Sequence, residues 1–260
     1  MTKAPSMRNT FNNARLNNNI VGNLQSERVS SLDASYIINA PKFKMRLTGY
    51  MTKSKNATNN TFFYAEGAFE EDESGDGSDA FVGQTTTNIA KKNIGVEFGG
   101  EYNITSTLKA TVAASYGQYT YDNNPNVTLT NDANASADNT NPIIDFGKSY
   151  LKDYRQAGAP QQAYSFGLEY RAPKFWWIGA NVNYLADTFI DVSHLLRTDE
   201  FFRNPADPFG LPFPEATIEG ARKLLKQEKL DPITLLNLTG GKSWRISGNT
   251  FGFFASINNV

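Results

Sequence analysis

The chain is 260 residues long, with 25 Lys and Arg against 26 Asp and Glu, one His and no Cys. So even a charge balance offers no average field to attract nucleic acid, and the missing cysteines exclude disulfides and thiolate metal sites. The longest apolar runs, such as Phe175 to Ala180, fall far short of the roughly 18 residues a membrane helix needs, which excludes helical spans.

Met1-Thr2-Lys3-Ala4-Pro5 leads into polar, Asn-rich sequence and not into the apolar core of a secretory leader. The first regular element follows, and its period is two. Leu32, Ala34, Tyr36 and Ile38 share one face, Ser31, Asp33, Ser35 and Asn39 the other, and Ala40-Pro41 ends the strand. The return strand sets Phe43, Met45, Leu47, Gly49 and Met51 against Lys42, Lys44, Arg46, Thr48 and Tyr50, which predicts a tight hairpin.

Three more pairs repeat the pattern. Ile94, Val96, Phe98 and Tyr102 oppose Asn93, Glu97 and Glu101, turn at Asn103-Ile104-Thr105-Ser106, and return as Leu108, Ala110, Val112, Ala114 and Tyr116. Tyr164, Phe166, Leu168 and Tyr170 oppose Ser165, Gly167, Glu169 and Arg171, turn at Ala172-Pro173-Lys174, and return as Trp176, Ile178, Ala180, Val182 and Tyr184, with Asn181 and Asn183 behind. The last pair has Leu236, Leu238 and Trp244 against Asn237, Thr239, Ser243 and Arg245, turns at Ser247-Gly248-Asn249, and resumes with Phe251, Phe253, Ala255 and Ile257, so the sequence is expected to stop inside a strand.

Connections within pairs are short, whereas those between pairs, roughly Lys53 to Thr87, Asp122 to Gln161 and Asp191 to Pro232, are long and are expected to be loops. Such alternation suits a transmembrane β-barrel with short periplasmic turns and long extracellular loops. Aromatics fall at both ends of the strands: Phe43, Tyr102, Tyr170, Trp176, Trp244 and Phe251 beside the turns, and Tyr50, Tyr116, Tyr164 and Tyr184 beside the loops, as two interfacial girdles require. Packing of the same rings inside a soluble sheet core is the competing expectation, and the charged opposite faces do not discriminate, since they suit a wet lumen and a solvent face equally.

The first long interval carries the acidic run Glu70 to Asp79. Asp72, Ser74, Asp76 and Gly77 match positions one, three, five and six of a calcium loop, but Gly83 stands where a bidentate carboxylate is needed, so a solvated loop is expected. The second contains the turn Asn123-Asn124-Pro125-Asn126. In the third, Ile218, Ala221 and Leu225 predict a short helix between Pro214 and Pro232, its apolar face packed on neighbouring loops. For catalysis only Ser193-His194 offers itself, without a recognisable orienting group. No phosphate-binding, metalloprotease or dinucleotide motif occurs, and no catalytic residue, metal or cofactor is expected.

Residue strings add to the periodicity. Gly117-Gln118-Tyr119-Thr120-Tyr121-Asp122-Asn123-Asn124-Pro125, Asp145-Phe146-Gly147-Lys148-Ser149-Tyr150-Leu151 and Pro160-Gln161-Gln162-Ala163-Tyr164-Ser165 resemble the C-terminal barrel of TonB-dependent receptors of the Bacteroidetes type. So do Phe175-Trp176-Trp177-Ile178-Gly179-Ala180-Asn181 and Gly240-Gly241-Lys242-Ser243-Trp244. The resemblance implies a 22-stranded outer-membrane barrel around an N-terminal plug, importing a scarce nutrient with energy delivered by TonB. It implies lipid, plug, TonB and a nutrient ligand, such as an iron chelate or a glycan, as partners.

The expectation is therefore an all-β, antiparallel barrel segment of about eight strands. Residues 1–260 would form one partial barrel domain, with plug and final strand end outside it. Lys44, Arg46, Glu97, Asn181 and Asn183 are the candidate lumen-facing residues for substrate or plug. A self-contained eight-stranded barrel serving as adhesin or small porin, and an outer-membrane hydrolase built around His194, are the alternatives.

Overall fold

Backbone hydrogen bonding gathers the strands of this computed structural model into one antiparallel sheet of 11 strands; the structure describes residues 1–13, 19–71, 77–131, 143–204 and 206–260. In chain order they are β1 (Thr2–Lys3), β2 (Glu27–Asn39), β3 (Phe43–Glu71), β4 (Gly77–Asn103), β5 (Leu108–Tyr121), β6 (Asn126–Asn131), β7 (Ile143–Lys148), β8 (Gln162–Ala172), β9 (Trp176–Ala186), β10 (Ile233–Ile246) and β11 (Asn249–Ile257). The path runs β1-β2-β3-β4-β5-β8-β9-β10-β11, with β6 added to the far end of β4 and β7 to β6. Next-neighbour order is what short hairpins dictate. The last of them is a two-residue Ser247-Gly248 turn whose φ values of 49° and 83° demand a residue that tolerates the left-handed region.

Cross-strand register turns eight separate alternations into one surface. Leu32 stands opposite Met51, Leu47 opposite Phe98, Val96 opposite Tyr116, Val112 opposite Phe166, Phe166 opposite Val182 and Val182 opposite Leu236. Pairing does not require this, because a one-residue slip anywhere would send one strand's apolar set to the other side. The shared stripe is uncovered: Leu32 is 69% exposed, Ile178 55% and Phe253 64%. A packed second layer would bury these side chains, so the soluble-sheet expectation fails. The exposed area of 16951 Å² points the same way, against about 11,300 Å² for a water-soluble monomer of 28.8 kDa.

Aromatic pairs mark the stripe's edges. Phe43 meets Tyr102 at 6.4 Å and Tyr170 meets Trp176 at 5.2 Å beside the short turns, while Tyr164 meets Tyr184 at 6.2 Å at the opposite end. Lys242 is a cation on the outward face, and its Nζ reaches back to the carbonyl of Lys174 in the adjacent turn at 2.9 Å. Tyr50 corrects the expected girdle: it lies on the inner face, where its hydroxyl meets that of Tyr119 at 2.8 Å.

One of the three expected loops is largely sheet and a second holds two short strands. The interval from Lys53 to Thr87 is a continuation of β3 and β4, and the interval from Asp122 to Gln161 holds β6 and β7. A phase change hides the long hairpin from a period-two reading. β3 carries an extra residue between Ser54 and Ala57, and β4 carries one between Ile89 and Thr86, with Asn56 and Asn88 at φ 61° and 58°. Each bulge exchanges the faces of odd and even positions beyond it, and the pair compensate so that the strands stay in step. The acidic run around residues 72–76 lies outside the described residues.

Most of the buried apolar side chains sit beyond the stripe, at the loop end. Ile89, Tyr121, Leu151, Tyr154 and Val192 form one cluster, and Val82 with Leu129 forms another against Phe146 and Leu195. On the opposite side of the hairpin, the N-terminal segment with α1 (Met7–Thr10) is tied down where Asn60 Nδ2 donates to the carbonyl of Phe11 at 2.7 Å and Asn9 Nδ2 to that of Thr58 at 2.7 Å. The third interval keeps its expected character. It contains helical turns at Leu195–Arg197 and Asp199–Phe202, and then α2 (Ile218–Leu224), which starts where Thr217 Oγ1 accepts from Gly220 N at 3.0 Å.

At the far edge β11 ends at Ile257. Asn259 then takes φ 57° and Val260 N donates to the carbonyl of Leu236 on β10 at 2.9 Å. β11 and the two-residue β1, which covers only the start of β2, occupy opposite ends of the sheet path, and neither β1 nor β2 pairs with β11 among the described residues. The sheet is open, so these strands do not close into the self-contained barrel considered as an alternative.

Candidate functional site

Positions that alternate with the apolar stripe form the inner wall. Four of the five candidates fall on two adjoining concavities there. Arg46, Glu97 and Asn183 border one of about 500 Å³, together with Thr48, Ser115 and Ser165. Lys44 borders the next, of about 540 Å³, with Asn39, Glu101 and Thr111, and Arg46 reaches both. Asn181 borders neither, because its amide is drawn down to Ser165 Oγ at 2.9 Å.

Small hydroxyl side chains hold the charges in place. Ser35 and Thr48 are cross-strand partners whose hydroxyls meet at 2.9 Å, and Arg46 donates from Nε to Thr48 Oγ1 at 3.1 Å and from Nη2 to Ser35 Oγ at 3.1 Å. The guanidinium is oriented without being neutralised. Glu97 stands between Thr48 and Ser115 in the register, and Glu101 lies 3.5 Å from Lys109. Opposite charges thus line one wet wall, able to orient a polar ligand through hydrogen bonds.

The wall's aromatic residues were not legible as site residues. A Cβ on Gly95 would meet the Tyr50 hydroxyl at 2.6 Å, and one on Gly117 would meet the Tyr119 ring at 2.8 Å, so both rings lie down on glycine floors. Trp177 stacks on Phe254 at 6.0 Å and 24°, with Arg171 over its ring at 5.6 Å. The available signal was an inner-face aromatic beside an inner-face glycine.

Above the wall, the 187–231 segment is docked on the inner side of the sheet extension. His194 joins it to two strands, its Nδ1 at 2.9 Å from Thr86 Oγ1 and its Nε2 at 3.4 Å from the Tyr121 hydroxyl. Burial holds the imidazole below its ordinary range. Ser193 Oγ accepts from Leu196 N, and the His194 ring nitrogens hydrogen-bond the Thr86 and Tyr121 hydroxyls and not Ser193, so the two residues do not form the nucleophile–base–orienter arrangement of the hydrolase alternative. Tyr154 lies between two guanidinium groups, Arg197 at 4.7 Å and Arg222 at 4.6 Å. The expected apolar face of α2 closes over this cluster, with Ile218, Ala221 and Leu225 against Tyr154 and Phe202.

Two carboxylates complete the loop's anchorage. Asp187 accepts from Lys229 Nζ at 3.0 Å and from Gln162 Nε2, and the lysine holds it below the usual carboxylate range. Asp199 accepts from the Tyr150 hydroxyl at 2.7 Å, which raises that phenol above its ordinary value.

The family described as "TonB dependent receptor-like, beta-barrel" matches residues 2–260. No curated protein matches the chain. Among solved structures, the "Copper transporter OprC" is similar at 16% sequence identity and a TM-score of 0.55, covering 99% of this chain and 29% of that one. At that identity the likeness shows the fold, and the chain spans less than a third of that structure's length.

Proposed function

Because the chain belongs to the TonB-dependent receptor β-barrel family, a family of the bacterial outer membrane, we propose that it supplies part of the barrel wall and the mouth loops of an active importer. The uncovered stripe touches acyl chains, and the wall bearing Lys44, Arg46, Glu97, Asn181 and Asn183 faces an N-terminal plug domain and the passing ligand. Energy reaches the assembly from TonB through that plug. The cargo is a scarce polar nutrient; the likeness to a copper transporter carries no cargo across.

The observation that carries this reading is the register. Each strand's apolar set falls in one continuous sheet-wide stripe with nothing packed over it, and charged and amide side chains fill the concave reverse. Lipid on one side and water on the other account for both faces.

The test is uptake by cells carrying the full-length receptor, across labelled iron chelates, copper and oligosaccharides, with and without TonB. One class is expected to enter only with TonB present, and the pair Arg46→Ala with Glu97→Ala is expected to lower its uptake while Val182→Ala leaves it unchanged. Uptake indifferent to TonB refutes active import. Uptake indifferent to the wall substitutions removes their proposed role.

A further inference from the structure

His194 is the chain's single histidine, and it is spent on docking a loop. Besides its two ring contacts, its carbonyl accepts from Ser149 Oγ at 2.6 Å, so one residue joins the 187–231 segment to β4, to β5 and to the 149–161 connection. Its ring also stands edge-on to Tyr121 at 5.8 Å, beside the buried cluster of Ile89, Leu151 and Val192.

We propose that His194 is an acid-labile latch, holding the loop segment 191–203 on the outer ends of β4 and β5 at neutral pH and releasing it when the imidazole takes a proton.

The charge environment supports this direction. From β4, Lys91 faces the ring; from β5, only the Tyr121 phenol; from the loop itself, Arg197 and the carboxylate of Asp191. The 149–161 connection contributes the neutral Ser149 hydroxyl. An imidazolium here would keep hydroxyl acceptors but lose bulk water, and it would lie near two cations against one anion. Burial is the largest influence and favours the neutral ring. The sign follows: the docked state binds the proton less readily than the released loop, whose histidine titrates near 6.5. Docking is complete above about 6.5 and weakens as pH falls below it, by about tenfold for each pKa unit separating the two states.

The experiment is hydrogen exchange by mass spectrometry on the full-length receptor in nanodiscs, from pH 5 to 8 with intrinsic rates corrected. Protection of peptides within 191–203 is expected to fall on acidification while that of the membrane-spanning parts of β4 and β5 stays constant. Two variants move the midpoint in opposite directions without touching the imidazole. Lys91→Met removes a cation, narrows the pKa gap between the docked and released states and shifts release to lower pH; Asp191→Asn removes the anion, widens that gap and shifts release to higher pH. A flat wild-type profile overturns the proposal. So does a midpoint that neither variant moves, because that acid response would belong to some other group. Opposite shifts of the two midpoints establish His194 as the titrating latch.

Discussion

Ala180 and Asn181 are neighbours on β9 that face opposite environments, so one substitution made at each separates lipid from lumen. The outward row of β9 runs from Trp176 to Tyr184, eight residue steps. That is about 26 Å along the strand and about 20 Å in depth at a tilt near 40°, close to the apolar band of an outer membrane. Ala180 lies at its centre, opposite Leu168 and Leu238. Arginine at the midplane of such a face costs about 2–4 kcal/mol, which lowers the folding constant about 30- to 900-fold. Asn181 faces the concave wall, where Asn181→Arg forfeits the hydrogen bond to Ser165, worth about 1 kcal/mol, but keeps its charge in water. Guanidinium titration of the full-length receptor in phosphatidylcholine vesicles, followed by tryptophan emission, measures both. Equal costs, or Asn181→Arg costing more, would mean that the stripe does not face lipid.

Spin labels at Val96 and Val182 are expected to be reached by oxygen and shielded from a water-soluble nickel relaxant, with the reverse at Glu97 and Asn183; water exposure at the first two contradicts the assigned facing. Gly95→Ala is expected to destabilise the barrel by about 1–3 kcal/mol, since the new methyl would stand 2.7 Å from the rigid Tyr116 carbonyl as well as against Tyr50, and thermal unfolding in detergent measures it. Tyr154→Ala removes the ring between Arg197 and Arg222 and is expected to cost about 3–5 kcal/mol of loop docking, read as lost exchange protection across 187–231 with the membrane strands unaffected. The 260-residue chain refolded without detergent is expected to self-associate through its stripe and its open β2 and β11 edges; a monodisperse monomer contradicts this.

Legibility from the amino-acid string followed the physics of each region. Within the membrane, lipid on one side and water on the other impose a strict two-residue period, so the faces of Phe43 to Met51 or Trp176 to Tyr184 could be read off directly. Tyr50 shows the limit of that reading, for its polar-face parity was plain while its nearness to a loop invited a girdle assignment. Beyond Met51 no bilayer enforces alternation, and the bulges at Asn56 and Asn88 change its phase. Polar residues such as Asn59, Asn60, Thr85 and Thr86 therefore looked like loop although they are paired in strands. The candidate wall residues were visible as alternation partners of the stripe. The cluster of His194, Tyr154, Arg197 and Arg222 was not, because it brings together segments up to 108 residues apart that share no local pattern.

Placement of the hydrophobic core explains why such a chain carries two unlike regions. In lipid, one apolar side chain gains little by leaving acyl chains for another, so the spanning strands must be joined by their backbone hydrogen bonds, and the glycines under Tyr50 and Tyr119 cost no buried core there. Above the membrane, water restores the hydrophobic drive, and Ile89, Tyr121, Leu151, Tyr154 and Val192 are buried. Two different stabilising terms act on one continuous pair of strands, β3 and β4. Conditions that weaken the aqueous cluster, acid at His194 among them, can therefore loosen the mouth loop while the hydrogen-bonded wall stays intact. Under the proposed import role, that separation lets the mouth loop move without unfastening the barrel wall that holds it in the membrane.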